Sequence, residues 1–586
     1  MPSYLAVVKQ FLSSYVMDEP TSAQRKNFAK KKGGWYVQTK NYFSDTVLTE
    51  SLFWDAKEKK YLDISKNFKK GDEVADTDGL LSIFLTGDAL YDWYNFERCP
   101  YYGYKNWQQD VITDFGSASI ENDTLLEGLA RAYDDAANNY LSISNTAATA
   151  EGIKHVVENY NKTIETEKIL LKRNPQYLTR VGHIDVKINN DCMDAWLKLS
   201  MYGYSKEAAV FVDKAAYSDA VIDYAKNYLN SCPANSILFT FGDNDTYPLW
   251  YVQQKLKYKP GISVINNSLL GLWQYVSFLK TQNIVSFAIP AKAINDNQLL
   301  YVQYSSDGSG NRPIPVAKFL EDIYNKKMVG TPNNDTVVQF SARQVTLNIN
   351  AAAHTGLYGA ALPAVTITLD KNIYLLNDLV TLDILATNVN TRPVCSTVTE
   401  PITDFANMYQ TGCVYRFMPI ENNAGATAGQ AKALIQYMQN GDNGQHFIPV
   451  VTNSSKNMDG TFFANNVYFE ICYKWITAAT EQSAEAAKNA ASKALQALNI
   501  HDNFYAEYSQ GFFAVTVIKA GLKEEGLVMA DNAARSFEHS YLYPSAVNVY
   551  YSKQYFKNSL ANLQLGLQNI ANAESPFINF LIEKYK

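Results

Sequence analysis

Apolar and polar positions change their period several times along the chain, and each change marks a predicted element. From Leu125 to Leu141 apolar residues recur at intervals of three and four, through Leu129, Tyr133, Ala137 and Tyr140. That spacing places one stripe on a helix. A second helix is predicted from Ile153 to Leu171, ending before Asn174-Pro175. A third carries Tyr217, Val221, Tyr224, Ala225 and Tyr228 on one face, with Ser218 or Asp219 as its cap and Pro233 just beyond its end. The pattern then shortens. Ile237 to Phe241 and Ile262 to Ile265 are brief apolar runs flanking an aromatic segment, which predicts a buried strand, a crossover helix and a parallel neighbour strand. Strands are also expected at Ile284–Ile289, in two alternating segments near Val337–Ile349 and Ala364–Leu369, in the run after Arg392, and at Val414–Ile420, with a helix over Leu375–Ala386. Beyond Gly425 helix returns, most clearly in the Ala/Glu/Gln/Lys-rich stretch Ile476–Leu498 and after Ser540. Phe512–Ile518 fits a strand or a buried helix segment, and Gly441–Gln445 reads as a turn.

These elements divide the chain into four expected regions: 1–120, mixed and aromatic-rich; 121–233, helical-repeat-like; 234–424, α/β; and 425–586, mainly helical. The expected fold class is therefore α/β, a mostly parallel, Rossmann-like sheet flanked by tetratricopeptide-like helical hairpins. The 34-residue period of true tetratricopeptide repeats is not kept. The first region is the hardest to read. It has a helix expected at Leu5–Val16, a basic stretch from Arg25, an alternating strand at Trp35–Thr39, and eight aromatic residues between Tyr91 and Trp107. The opening residues read as a first folded helix rather than as a leader.

Composition excludes some functions. With 52 basic and 58 acidic residues and a net charge of −6, the 586-residue chain has no basic footprint for nucleic acid. No apolar run approaches the roughly 18 residues that a membrane span needs. Six dispersed cysteines and six dispersed histidines show no metal-ligand spacing. The 41 tyrosines and abundant asparagine offer rings and amides rather than charge, which suits contacts with sugars or with other proteins.

Candidate chemistry concentrates in Gly242-Asp243-Asn244-Asp245-Thr246, at the expected carboxyl end of the first parallel strand, where open α/β sheets place ligands. Gly242 would allow a turn or a close ligand approach. On an extended backbone Asp243 and Asp245 would project to one side and could share a divalent cation or bind hydroxyls, and Thr246 would cap the next helix. No other cofactor is expected. A purely structural alternative has Asp243 accepting turn amides and Asp245 capping that helix. Trp250 is expected to pack on the sheet, with substrate stacking as the other option. Arg392 is a candidate anion clamp, provided its strand lies beside the acidic turn. The motifs of phosphate loops, serine hydrolases and zinc proteases are absent, Ser306-Asp-Gly-Ser-Gly lacks the lysine of a phosphate cradle, and no catalytic residue is assigned.

The stretch from Tyr224 to Gln254, together with Ser263-Val-Ile-Asn-Asn-Ser-Leu-Leu, resembles the soluble region of a Bacteroidetes family of multi-pass membrane proteins related to protein O-mannosyltransferases. Arg392-Pro-Val and Gly412-Cys-Val-Tyr-Arg-Phe-Met-Pro-Ile resemble two later signatures of that region, so the likeness covers about residues 210–420. The chain departs from it in having no multi-span half, and in carrying Lys255-Leu-Lys-Tyr-Lys-Pro before the second strand. The resemblance implies an envelope setting, in the periplasm or at the cell surface, although a cytoplasmic one is compatible with the residues. Two functions are expected. The first is a soluble envelope protein for recognition or assembly within a larger complex, with envelope or membrane proteins as partners. The second is a carbohydrate-active enzyme or glycan receptor that binds a sugar or nucleotide sugar at Asp243 and Asp245.

Overall fold

A computed structural model describes residues 107–143, 149–179, 181–290, 301–306, 312–325, 336–354, 357–397, 407–440, 462–498, 508–542 and 552–585, together with short backbone segments between 24 and 75 and at 329–330. The expected helix at Leu5–Val16, the aromatic run before Trp107, the glycine-rich stretch after Ser306 and the turn at Gly441 lie outside the described residues. The described architecture is mixed α/β, with several small mixed sheets. Among the described residues no helix is long and apolar enough to cross a membrane.

The chain forms two compact units, one of Met1–Ile188 with Tyr543–Ser552 and one of Asn189–Leu542 with Lys553–Lys586. In the first, Gln24–Lys31 pairs antiparallel with Gly34–Asn41, which covers the strand expected at Trp35. The basic stretch from Arg25 is itself strand. Helices Asp123–Ile143 and Ala150–Arg173 form a hairpin, as the apolar stripes predict. Thr149 caps the second of them by accepting the Gly152 amide at 3.1 Å. Gly152 lies so close to the Tyr140 ring that any Cβ there would collide with it, which explains the glycine at this helix contact.

The second unit is built on a five-stranded sheet. Its strands are β1 (Ile237–Thr240), β2 (Ser263–Asn266), β3 (Val394–Ser396), β4 (Met408–Thr411) and β5 (Val414–Phe417), in the order β2-β1-β3-β5-β4. The first three are parallel, with Val264 opposite Leu238 and Leu238 opposite Cys395, whereas β5 and β4 join antiparallel. All four residues of β1 are buried, as a central strand covered on both faces requires. Helix α1 (Ile184–Met201) contributes its residues from Asn189 onward to this unit, followed by α2 (Ser205–Lys214) and α3 (Asp219–Ser231). Ser218 caps α3, accepting the Val221 amide at 3.4 Å. Helices α4 (Asp243–Leu256), α5 (Trp273–Thr281) and α6 (Leu376–Asn388) lie along the connections between the parallel strands.

Two sequence expectations fail here. Ile284–Ile289 is not a strand: α6 takes its backbone groups instead. The Asp383 carboxylate accepts the amides of Ala288 at 2.8 Å and Ile289 at 2.7 Å, and Asn388 donates to the Ser286 carbonyl at 2.6 Å. A backbone satisfied by side chains has no need of a ladder partner. The predicted helix Ile476–Leu498 is two helices, Phe462–Thr480 and Ala484–Leu498, because Ser483 restarts the chain by accepting the Ala486 amide at 3.0 Å. Phe512–Ile518 is helical, within Tyr508–Lys519.

Helix Phe462–Thr480 is tied to α3 and to strand β5 through polar contacts. Asn227 donates to the Tyr468 hydroxyl at 3.0 Å, and Tyr415 donates to Glu470 at 2.8 Å.

Candidate functional site

At the carboxyl end of β1 the chain passes directly from strand into helix. Gly242 is the N-cap residue, and α4 begins at Asp243. Strand β1 connects outward to β2, whereas β3 continues to the other side of the sheet, so the ends of β1 and β3 flank a topological switch point. The acidic segment does lie there, as its sequence predicted, yet its conformation differs from the extended turn expected. Successive helical residues are rotated by about 100°, so the side chains of Asp243 and Asp245 diverge by about 200° around the axis. They do not project together toward one cation.

Asp245 reaches back over the helix start. Its carboxylate accepts the Gly242 amide at 2.6 Å, the Phe241 amide at 3.0 Å and the Thr397 hydroxyl at 2.9 Å. Two of these bonds satisfy amides at the helix entrance, and the third ties the helix to the end of β3. Burial pushes the carboxyl above its ordinary value, and these donors pull against that rise. Thr246 is fully buried and is not the cap. Its hydroxyl donates to Thr240 at 2.7 Å and accepts from Asn266 at 3.0 Å. Around this core Ser268 donates to the Phe241 carbonyl at 2.6 Å, and Asn267 donates to Thr381 at 2.6 Å. Asn244 accepts from Asn190 at 2.7 Å, and Asn190 in turn accepts from Tyr217 at 2.7 Å. The segment is thus a junction of hydrogen bonds that joins three strand ends and three helices, α1, α4 and α6.

Gly242 has φ −124° and ψ 176°, extended values open to any residue. A Cβ there would meet only the Asp245 carboxylate oxygen, at 3.5 Å, an ordinary contact. Turn geometry therefore does not explain the glycine. Gly242→Ala should change unfolding stability by less than about 1 kcal/mol, because the weaker N-cap is offset by lower chain entropy in the unfolded state. Urea titration of the two proteins checks this.

Arg392 and Trp250 lie at the other end of the sheet. Arg392 precedes β3, which does run beside β1, but parallel pairing puts Arg392 at the amino ends of the strands, a strand length away from the acidic segment. Its guanidinium donates to the carbonyls of Asn235 at 2.9 Å, Ser236 at 3.1 Å and Ile284 at 3.4 Å, and to the Ser263 hydroxyl at 2.8 Å. Those bonds fasten the starts of three neighbouring segments. Trp250 is buried and donates its indole N–H to the Val264 carbonyl at 3.1 Å. Tyr247 stacks against it at 5.6 Å, and Trp196 tilts against it at 5.7 Å. Strand β2 is an edge strand, and two of its outward groups are plugged: Trp250 takes the Val264 carbonyl, and the Tyr275 hydroxyl accepts the Asn266 amide at 3.2 Å.

A cavity of about 540 Å³ opens beside this edge, lined by Trp196, Trp250, Tyr275, Phe278, Gln254 and Arg392 among others. The six candidates read from the sequence thus fall into two places. Gly242, Asp243, Asp245 and Thr246 meet at the carboxyl edge, and Trp250 and Arg392 meet at the cavity. Sequence reading missed Thr397, Asn266 and Asn267 at the first place, and Trp196, Phe278 and Gln254 at the second. Polar residues ending apolar runs, Asn266-Asn267 and Ser396-Thr397, were the available signal for the first. The cavity had none, because its lining comes from five separate stretches of chain. Among the described residues no group of three or more histidines, cysteines and acids converges as a metal site would require.

The sheet unit thus belongs to the class of mixed α/β folds whose parallel strands end in a polar junction. Residues 221–435, which span that sheet from α3 onward, match the family described as TMEM260-associated domain 2. The match lies close to the region singled out by the sequence motifs. No curated protein and no solved structure matches the chain.

Proposed function

We propose that this chain is a recognition or assembly protein of the bacterial cell envelope, working within a larger complex at the periplasm or cell surface of a Bacteroidetes bacterium. In this reading the α/β unit is a Rossmann-like binding module, and the tetratricopeptide-like hairpins are surfaces for envelope or membrane proteins. The match of residues 221–435 to a TMEM260-associated domain accords with the extramembrane character implied by the sequence resemblance.

One observation carries the reading: both carboxylate oxygens of Asp245 accept hydrogen bonds from within the protein, from Phe241, Gly242 and Thr397. A general acid, a general base or a metal ligand needs a lone pair facing the substrate or ion. This arrangement speaks against Asp245 as the acid, base or cation ligand of the rival, a carbohydrate-active enzyme or glycan receptor at Asp243 and Asp245, and so favours recognition and assembly. In-cell cross-linking followed by size measurement tests the proposal. The expected result is a discrete species larger than the monomer that contains envelope proteins. A strictly monomeric chain without stable partners overturns it.

A further inference from the structure

The cavity at the amino edge of the sheet combines features that together define a ligand. Trp196 and Phe278 are half-buried and line it, so parts of two ring surfaces remain open. The exposed side chains of Gln254, Gln282 and Asn283 stand at its rim, each an amide that both donates and accepts. Among the described lining residues there is no carboxylate, lysine or histidine. The one charged side chain, Arg392, is occupied by three carbonyls and a hydroxyl. A volume of about 540 Å³ lies within the range of small-ligand sites.

We infer that this cavity binds a neutral saccharide, with Trp196 and Phe278 against the C–H face of a sugar ring and the rim amides on its hydroxyls. The inference deepens the recognition reading and rests on it. Hydroxyls donate and accept as amides do, whereas a phosphate or a nucleotide sugar requires cationic donors that this lining does not spare. Addition of a peptide strand is disfavoured because Trp250 and Tyr275 already occupy outward groups of β2.

Calorimetric titration of the whole chain with neutral di- and trisaccharides of glucose, galactose, mannose and N-acetylglucosamine, with uridine diphosphate glucose as the charged comparison, tests it. At least one neutral sugar should bind, and more tightly than the nucleotide sugar. Trp196→Ala should weaken that binding by about tenfold, and the exposed Gln254→Ala by about threefold with an unchanged melting temperature. No heat from any neutral sugar overturns the inference, as does binding that is equal in wild type and Gln254→Ala, or tighter binding of the nucleotide sugar. Cross-linking the wild-type protein in cells, beside its titration with the neutral sugars, separates the two claims. An intact complex without sugar binding sinks only the cavity assignment, whereas a lost partner in wild type sinks the recognition reading.

Discussion

Asp245→Ala should lower the unfolding free energy by about 2–3 kcal/mol, the sum of a lost helix cap and of donors left short of an acceptor. The carboxylate holds the Phe241 and Gly242 amides and the Thr397 hydroxyl at 2.6–3.0 Å. Of these, the Gly242 amide is exposed and can turn to water, which keeps the loss below that of a fully buried network. Asp245→Asn should recover only part of the loss, since one amide oxygen replaces two acceptor oxygens and the NH₂ group would face another donor. Urea unfolding of the three proteins reads both effects. A loss below about 0.5 kcal/mol for the alanine variant would mean that the junction does not depend on this carboxylate.

The same substitution carries a pH signature. Burial raises the folded carboxyl above its unfolded value of about 3.9, so protonation favours the folded state. That contribution is fully present below the unfolded value and is lost as pH rises through the folded one. The advantage of wild type over Asp245→Ala should therefore shrink as pH climbs from about 4 toward neutrality. An advantage that grows over that interval would mean that the hydrogen bonds outweigh burial at this carboxyl.

Arg392→Ala should lower stability by about 2 kcal/mol, because three carbonyls and the Ser263 hydroxyl lose a charged donor at once. Arg392→Lys should restore little of it, since an ammonium has no planar fork with which to reach carbonyls on separate segments. This outcome distinguishes fastening from clamping a ligand. An arginine held ready for an anion would leave thermal stability unchanged when removed, and its loss would appear only in binding. Thermal and urea unfolding of both variants supplies the measurement.

Particular residues show where the chain was legible. Ser218 was readable as a helix cap, and the apolar stripes from Leu125 and from Tyr217 were readable as helices, because side chains three and four apart meet within a single turn. The apolar runs at Ile237 and Ile262 were readable as buried parallel neighbours, since a strand covered on both faces loses its alternation. Ile284–Ile289 has the same apolar character and misled the reading. What keeps it out of the sheet is Asp383, almost a hundred positions away, which accepts its amides. The acidic segment was placed correctly at a strand end and given the wrong backbone, because a two-residue spacing means one face only if the chain is extended.

Short-range chemistry therefore settled the identity of several described helices and of the central strands, along with the position of Gly242 to Thr246 at a strand end, whereas α1, α2 and α5 went unread. Periodicity and capping are properties of neighbours along the chain. Long-range pairing settled the rest: which end of the sheet each candidate occupies, that Arg392 and Trp250 share a cavity apart from the acidic residues, and that Asp245 finds Thr397 across the sheet. Parallel strands align like with like, so a residue before one strand can never meet a residue after its neighbour. The order in which strands come together is set by the burial of the whole unit rather than by any segment of it.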